Sequence, residues 1–86
     1  MGKYNLFLKP SAKKELANLQ NKDCRRIAER ISLLANDPRP NGCEKMAGQH
    51  GCFRIRQGDY RIIYSVDDLE LKVRVLKIGH RREVCR

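Results

Sequence analysis

The chain has no tryptophan and no apolar run that approaches the roughly 18 residues of a membrane-spanning helix. Its N-terminal segment lacks the long apolar core of a signal peptide, and Leu6 stands where a myristoylation signal has serine or threonine. Cys85 is followed only by Arg86, which does not fit a prenylation signal. These absences predict a cytoplasmic protein.

Several catalytic and metal-binding motifs are also missing. The sequence has no glycine-rich phosphate loop, no HExxH motif and no nucleophile elbow. Its four cysteines have neither the CxxC spacing of zinc sites nor the density of a disulfide framework: Cys24, Cys43, Cys52 and Cys85. We therefore expect free thiols, no metal site and no cofactor.

Acidic residues are scarce relative to basic ones. Ten aspartates and glutamates stand against 19 lysines and arginines, which gives a net charge of +9 on 86 residues. Such an excess favours polyanionic partners such as nucleic acid, a ribosome or an acidic protein, although it also serves a merely solubilising surface. The basic residues occur along the whole chain, so charge alone does not locate a site.

The length allows one modest hydrophobic core. No internal repeat, low-complexity segment or linker divides the sequence. The prediction is a single domain over residues 1–86.

The first half of the chain predicts a strand followed by two helices. Tyr4–Lys9 is a short apolar-rich run, and Ser11–Gln20 has apolar residues at helical spacing. Pro10 suits the first turn of this helix, and Ser11 is a candidate cap.

The second helix has the clearest apolar stripe. Its members recur at helical spacing, with two alanines widening the stripe: Cys24, Ile27, Ala28, Ile31, Leu34 and Ala35. Asn21 or Asp23 is expected to cap this helix, and Pro38 is expected to stop it.

The second half of the chain predicts a sheet. Glu44–Gln49 is a possible short strand, and Phe53–Val66 predicts two strands joined by a turn at Gly58. Leu71–Ile78 alternates again, and Gly79 is expected to end that strand. The predicted fold is α+β, with the N-terminal strand and the helical hairpin packed on one face of a small, mostly antiparallel sheet.

Three arginines of the predicted strand pair fall on one sheet face. Alternation places Arg54 and Arg56 opposite Phe53 and Ile55, and the hairpin brings Arg61 near them. Guanidinium groups this close repel one another unless an anion lies over them. We interpret the anion as RNA.

The residues that follow the last strand extend this cluster. The strand that ends at Gly79 is expected to deliver His80, Arg81 and Arg82 to the edge of the arginine-bearing face, with His80 beside the arginines. Further candidate contacts with RNA or the ribosome are Lys45, Arg74, Arg82 and Arg86. For Lys45, a solvated loop cation is the alternative.

Metal-free RNA cleavage suits this set of residues. The 2′-hydroxyl attacks the neighbouring phosphorus, so the reaction needs a proton acceptor, a proton donor and cations for the added negative charge. Four arginines are candidates for the cations: Arg54, Arg56, Arg61 and Arg81. For proton transfer the chain offers His50, His80, the tyrosines and a few carboxylates, of which His80 is expected beside the arginines.

The same residues carry a family resemblance. The segments FRIRQGDYRIIYSVDD and VRVLKIGHRREVCR resemble toxins of the RelE/ParE superfamily, in particular the RelE-type mRNA interferases. The two helices ahead of the sheet match as well, so the resemblance spans nearly the whole chain. It rests chiefly on the pairing of the R-x-R-x-G-D-Y-R-I-I-Y segment with the terminal G-H-R-R-E-V segment.

The resemblance implies a toxin of a type II toxin–antitoxin system. The activity it implies is ribosome-dependent, metal-independent cleavage of mRNA in the ribosomal A site, which inhibits translation. It also implies an adjacent RelB-like acidic antitoxin, in a hetero-oligomeric complex with the toxin. The positions that match the family's catalytic face are Arg54, Arg56, Arg61 and Arg81.

The C-terminus departs from the family pattern. Members commonly end in E-V-Y-R, whose tyrosine stacks on a base, whereas this chain ends in Glu83-Val84-Cys85-Arg86. A thiol offers no aromatic face, although Cys85 could take part in proton transfer. Cys85 motivates one alternative, a noncatalytic RNA- or ribosome-binding module. A second alternative is a ParE-like gyrase-inhibiting toxin of the same fold, which would have no need for the arginines together.

Overall fold

The computed structural model describes residues 3–48 and 51–80. In chain order the elements are β1 (Asn5–Leu8), α1 (Pro10–Ala17), α2 (Asn21–Leu33), β2 (Glu44–Lys45), β3 (Cys52–Gln57), β4 (Tyr60–Asp67) and β5 (Lys72–His80). Within these residues the strands form one sheet in the order β1-β5-β4-β3-β2. Only the β1–β5 pair is parallel.

Both helices pack on the same face of the sheet, as the sequence predicts. The buried side chains of the core come from the helices and from the inward positions of β3, β4 and β5: Ala12, Ile27, Ile31, Leu34, Ile55, Ile62, Tyr64, Val73, Val75 and Ile78. The Tyr64 hydroxyl donates a hydrogen bond to the carbonyl of Pro38 at 2.6 Å, which satisfies a polar group inside this core. The predicted α+β fold is confirmed.

The predicted helix caps are wrong. Helix α1 begins at Pro10, so Ser11 lies inside its first turn and Lys9 occupies the cap position without a side-chain hydrogen bond. Helix α2 begins at Asn21 after Gln20, which also makes no side-chain cap hydrogen bond. Asp23 instead lies in the first turn, where a negative charge interacts favourably with the helix dipole.

The apolar stripe of α2 is narrower than predicted. Ile27, Ile31 and Leu34 are buried, whereas Ala28 is exposed. The helix ends at Leu33, five residues before Pro38, so the proline lies in the following loop.

A bulge changes the predicted pattern of β5. Ile63 pairs with Lys77 and Tyr64 pairs with Val75, so Leu76 is an extra residue on β5. Because the bulge shifts the alternation by one position, Ile78 joins Val75 in the core although their separation is odd. The strand also continues through Gly79 to His80, beyond the predicted end.

No helix in residues 3–48 and 51–80 is long and apolar enough to cross a membrane.

Candidate nucleic-acid interface on the sheet

A tight hairpin aligns the three arginines of β3 and β4. Gly58, with a φ of 62°, begins the two-residue turn between these strands. Arg56 then pairs directly with Arg61, and Arg54 pairs with Ile63. We call Arg54, Arg56 and Arg61 the arginine face, because all three lie on the sheet side opposite the helices. The prediction that they share one face is confirmed.

The hydrophobic core lies directly behind the arginine face. Ile55 and Ile62, the residues that alternate with the arginines, are both completely buried under the helices. A one-residue slip of the hairpin would exchange these isoleucines with the arginines, so the hydrophobic core fixes the register of the charged side chains.

Glu44 on β2 is the acidic member of this surface. It pairs with Arg54 across the β2–β3 ladder, and its Oε1 accepts hydrogen bonds from Arg54 Nη2 at 2.9 Å and Nε at 3.2 Å. The Arg54 hydrogen bond holds the pKa of Glu44 below its ordinary value, and the charges of Arg56 and Arg61 lower it further. Glu44 therefore stays ionised and neutralises part of the charge of Arg54.

Arg56 and Arg61 retain their charge unneutralised. Neither makes an ion pair with any residue in the part of the chain that the structure describes. Arg61 Nη1 only donates a long hydrogen bond, 3.4 Å, to the carbonyl of Tyr60. Guanidinium groups bind phosphate oxygens through paired hydrogen bonds, so two of them on directly paired positions are chemically suited to an anion of this kind.

Arg74 lies on the same side of the sheet as the arginine face. It pairs with Ser65 on β4 and with Phe7 on β1. The two lysines of β5 contact neighbouring side chains: Lys72 lies 5.6 Å from the ring centroid of Phe7, and Lys77 pairs with Glu15 at 3.2 Å. Arg74 is exposed, and it extends the basic surface across β5.

His80 does not lie beside the arginines, and this prediction is wrong. It pairs with Tyr60, in phase with Ile78, so its side chain lies on the helix-facing side of the sheet. The rings of Tyr60 and His80 meet edge to face with centroids 5.8 Å apart. The bulge in β5 and the extension of the strand to His80 produce this placement.

Lys45 also lies away from the arginine face. It pairs with Phe53, one position along from the Glu44–Arg54 pair, and so takes the opposite side of β2. There it borders a cleft together with Arg39, which pairs with Asp68 at 2.6 Å.

The remaining candidates fall outside the described residues: Arg81, Arg82, Cys85 and Arg86. The strand that precedes them is described up to His80, and its residue Gly79 pairs directly with Arg61. The chain therefore leaves β5 next to the arginine face.

Sequence reasoning missed two participants in this surface. Glu44 was considered only as part of a possible strand, and its pairing with Arg54 depends on a ladder of two residues. Helical periodicity places Arg30 of α2 mostly opposite the apolar stripe, whereas the structure shows that it borders a cleft together with Arg56. The i, i+4 spacing of Arg26 and Arg30 is the signal that was available.

Comparison with known proteins identifies the family. The model of the "ParE toxin of type II toxin-antitoxin system, parDE" matches residues 6–85. The chain belongs to the RelE/ParE family of toxins. It is accordingly a toxin of a type II toxin–antitoxin system.

Two toxins of Mycobacterium tuberculosis are similar in sequence. Toxin RelE is 28% identical over 79 residues, which cover 91% of this chain and 81% of the relative. Toxin RelG is 39% identical over 36 residues, which cover 42% of this chain and 41% of the relative.

Solved structures agree with the fold. The archaeal RelE in its RelE–RelB complex from Pyrococcus horikoshii is 30% identical, with a TM-score of 0.82 over 92% of this chain and 96% of that one. The RelBE2 toxin–antitoxin complex of M. tuberculosis gives 25% identity and a TM-score of 0.79 over 94% of each chain. The intact RelBE complex of Escherichia coli gives 25% identity and a TM-score of 0.79 over 90% of this chain and 95% of that one.

Proposed function

We propose that this toxin is a ribosome-dependent endoribonuclease that cleaves mRNA in the ribosomal A site without a metal ion. The observation that carries the proposal is the direct pairing of Arg56 with Arg61 on an uncovered sheet face, with neither neutralised by an acidic residue in segments 3–48 and 51–80. RelE-named relatives and the RelE-type resemblance of the hairpin and tail support it.

The arginines would act on the scissile phosphate. As the 2′-oxygen attacks phosphorus and the bond to the 5′-oxygen breaks, negative charge grows on the non-bridging oxygens. Arg56 and Arg61 are placed to bind those oxygens, and fixed guanidinium groups do this without reorganising at the moment of reaction. Arg54, held by Glu44, would contact the strand beside the scissile phosphate, and Arg81 would join from the tail.

Proton transfer requires other groups. One group removes the proton of the 2′-hydroxyl, and another supplies a proton to the leaving 5′-oxygen. His80 is separated from the arginine face by the sheet. Other candidates for proton transfer are Cys85 of the tail, the carboxylates and tyrosines of the chain, His50, and groups that the ribosome supplies.

We further propose that a RelB-like acidic antitoxin binds and inhibits this toxin. The net charge of +9 supports an acidic partner, and the three solved relatives described above are toxin–antitoxin complexes. The antitoxin would be encoded next to the toxin and would keep it inactive until released.

Induction of the toxin with and without its neighbouring reading frame tests the proposal. We expect growth arrest and new mRNA 5′ ends within translated codons for the toxin alone, and neither when both are produced. A DNA supercoiling assay tests the alternative of a ParE-like gyrase inhibitor. The matching family model, which is named for the ParE toxin, supports that alternative. Gyrase inhibition with intact mRNA would overturn the nuclease proposal.

A further inference from the structure

Arg30 on α2 is a half-buried cation without a neutralising partner. Its Nε is completely buried and has no hydrogen-bond acceptor among the described residues. Its charge acts on the Tyr64 phenol, whose pKa is raised by burial and lowered by Arg30. The buried Nε places the guanidinium group close to the core, where an unpaired charge raises the free energy of the folded state. An anion bound to the outer nitrogens would offset that cost.

Arg30 lies between two clefts along the edge of β3. One cleft, of about 440 Å³, is lined by Arg30, Arg56, Gly42, Cys43 and Glu44. The other, of about 380 Å³, is lined by Arg26, Glu29, Arg30, Leu33 and Gln57. Arg30 therefore connects the arginine face with Arg26 one helical turn away.

The path along this edge is open. Strand β2 pairs only with Phe53 and Arg54, so Ile55–Gln57 have no strand on that side within the described residues. Beyond Arg26, a third cleft of about 320 Å³ leads past Gln57 to His80. The three clefts adjoin through shared lining residues, Arg30 and then Arg26 and Gln57, and we call this row of clefts from Arg56 to His80 the groove.

The acidic residues along the groove do not neutralise it. Glu44 is committed to Arg54 at 2.9 Å. Glu29 borders the second cleft but makes no ion pair with Arg26 or Arg30 within 4.0 Å. In the third cleft Asp23 accepts a hydrogen bond from the Tyr60 hydroxyl at 3.5 Å, and neither Asp23 nor Asp59 makes an ion pair with Arg26 within 4.0 Å.

We infer that Arg26 and Arg30 form a second anion site that binds backbone phosphates of RNA, continuing the strand path from the arginine face around the edge of β3. The inference rests on the proposed function, because it extends the nucleic-acid surface of the same site. The phosphates belong either to mRNA beside the cleaved codon or to ribosomal RNA.

The lining favours RNA over an acidic protein segment. The cleft between Arg30 and Arg56 contains no large apolar side chain, and the cleft that Arg26 and Arg30 line together contains a single one, the exposed Leu33. An antitoxin segment would need such contacts to be bound stably, whereas a phosphodiester strand needs spaced cations and open backbone. Arginine also matches phosphate geometry through two parallel hydrogen bonds.

The test compares Arg30→Gln with Arg25→Gln. Arg25 is exposed on the same helix and lines none of the three clefts, so its removal changes the net charge equally. Binding is measured by fluorescence anisotropy with a labelled 2′-O-methyl oligoribonucleotide, which lacks the attacking hydroxyl, over a series of salt concentrations. Ribosome pelleting without mRNA and binding to polyglutamate are measured in parallel.

For Arg30→Gln we expect about tenfold weaker RNA binding at low salt, the effect of one charge-assisted hydrogen bond. The slope of log affinity against log salt should fall by about 0.7, and Arg25→Gln should change both values little. A loss confined to ribosome pelleting would support the site and assign its phosphates to ribosomal RNA.

Equal losses in the two variants would overturn the inference, since net charge would then explain them. Unchanged RNA and ribosome binding, or a loss confined to polyglutamate, would also overturn it. If Arg30→Gln does not fold, Arg26→Gln carries the same expectation from an exposed position. The two proposals fail separately: wild-type toxin that binds RNA through Arg30 but leaves ribosomal mRNA intact would refute only the nuclease activity.

Discussion

The carboxylate of Glu15 on α1 accepts a hydrogen bond from the backbone N–H of Ile78 on β5 at 2.9 Å. Strand β1 pairs with β5 only as far as Leu8 and Val75, so no strand among residues 3–48 and 51–80 neighbours the later part of β5 on this side. Glu15 satisfies the exposed N–H and also pairs with Lys77 at 3.2 Å. It thereby holds the segment of β5 that leads to the tail.

We predict that Glu15→Ala lowers the free energy of unfolding by about 1 kcal/mol, because a backbone donor loses its partner. Glu15→Gln keeps an acceptor oxygen and should cost less than half as much. Urea denaturation measures both, and hydrogen exchange of the Ile78 amide should quicken only in the alanine variant. Lys13→Ala, on the exposed side of the same helix, is the control. Equal effects of the two Glu15 variants would contradict the role of the hydrogen bond.

Replacement of Glu44 tests its effect on the arginine face. Glu44→Gln removes the charge that neutralises Arg54, so RNA binding should tighten and its salt slope should steepen by about 0.7. The oligoribonucleotide anisotropy assay measures this change. Asp37→Asn is the control, because it removes an equal charge from an exposed loop residue that makes no ion pair among the described residues, and it keeps the Oδ1 acceptor of the Arg39 N–H. Weaker binding in Glu44→Gln would indicate that ordering Arg54 matters more than its free charge.

Asp68 should make the stability of the fold depend on pH in the acidic range. Hydrogen bonds from Tyr4 and then Arg39 hold the pKa of Asp68 below its ordinary value. Its folded pKa is therefore lower than its unfolded pKa of about 3.9, and the stabilisation is present above that pH and lost as pH falls below it. At pH 7 the melting temperature of the wild type should be higher than that of Asp68→Asn, and this difference should shrink below about pH 4. A difference that stays constant as the pH falls from 7 to 2 would refute this.

The tail residue Cys85 allows a gain-of-function test. If stacking on a base limits cleavage, Cys85→Tyr and Cys85→Phe should both raise the rate at saturating toxin. If a hydroxyl is needed as well, only the tyrosine variant should do so. Cys85→Ser is the control for loss of the thiol, and a large loss of activity in it would assign proton transfer to the cysteine.

Alternation of apolar and charged residues was sufficient to predict the arginine face, because burial of Ile55 and Ile62 fixes the side on which Arg54, Arg56 and Arg61 lie. The position of His80 was not predictable in this way. It depends on the bulge at Leu76, which reverses the alternation and arises from pairing between strands that are distant in sequence.

Contacts between elements that are distant in sequence were likewise not predictable from local sequence patterns. The Glu15–Ile78 hydrogen bond spans 63 residues of sequence and exists because β1 stops before β5 does. The groove at Arg30 depends on how α2 lies against the short β2. Helical periodicity identifies the exposed side of α2. Which residues of the sheet lie next to Arg30 is decided by tertiary packing.

Single-turnover cleavage of mRNA in programmed ribosomes, at saturating toxin, tests the arginine face most directly. We predict that Arg61→Ala and Arg56→Ala each lower the rate about 100-fold or more, as expected for removal of a group that stabilises transition-state charge. Arg25→Ala should retain the wild-type rate. Unchanged cleavage by both Arg56→Ala and Arg61→Ala would contradict the assignment of this surface as the site of phosphate chemistry.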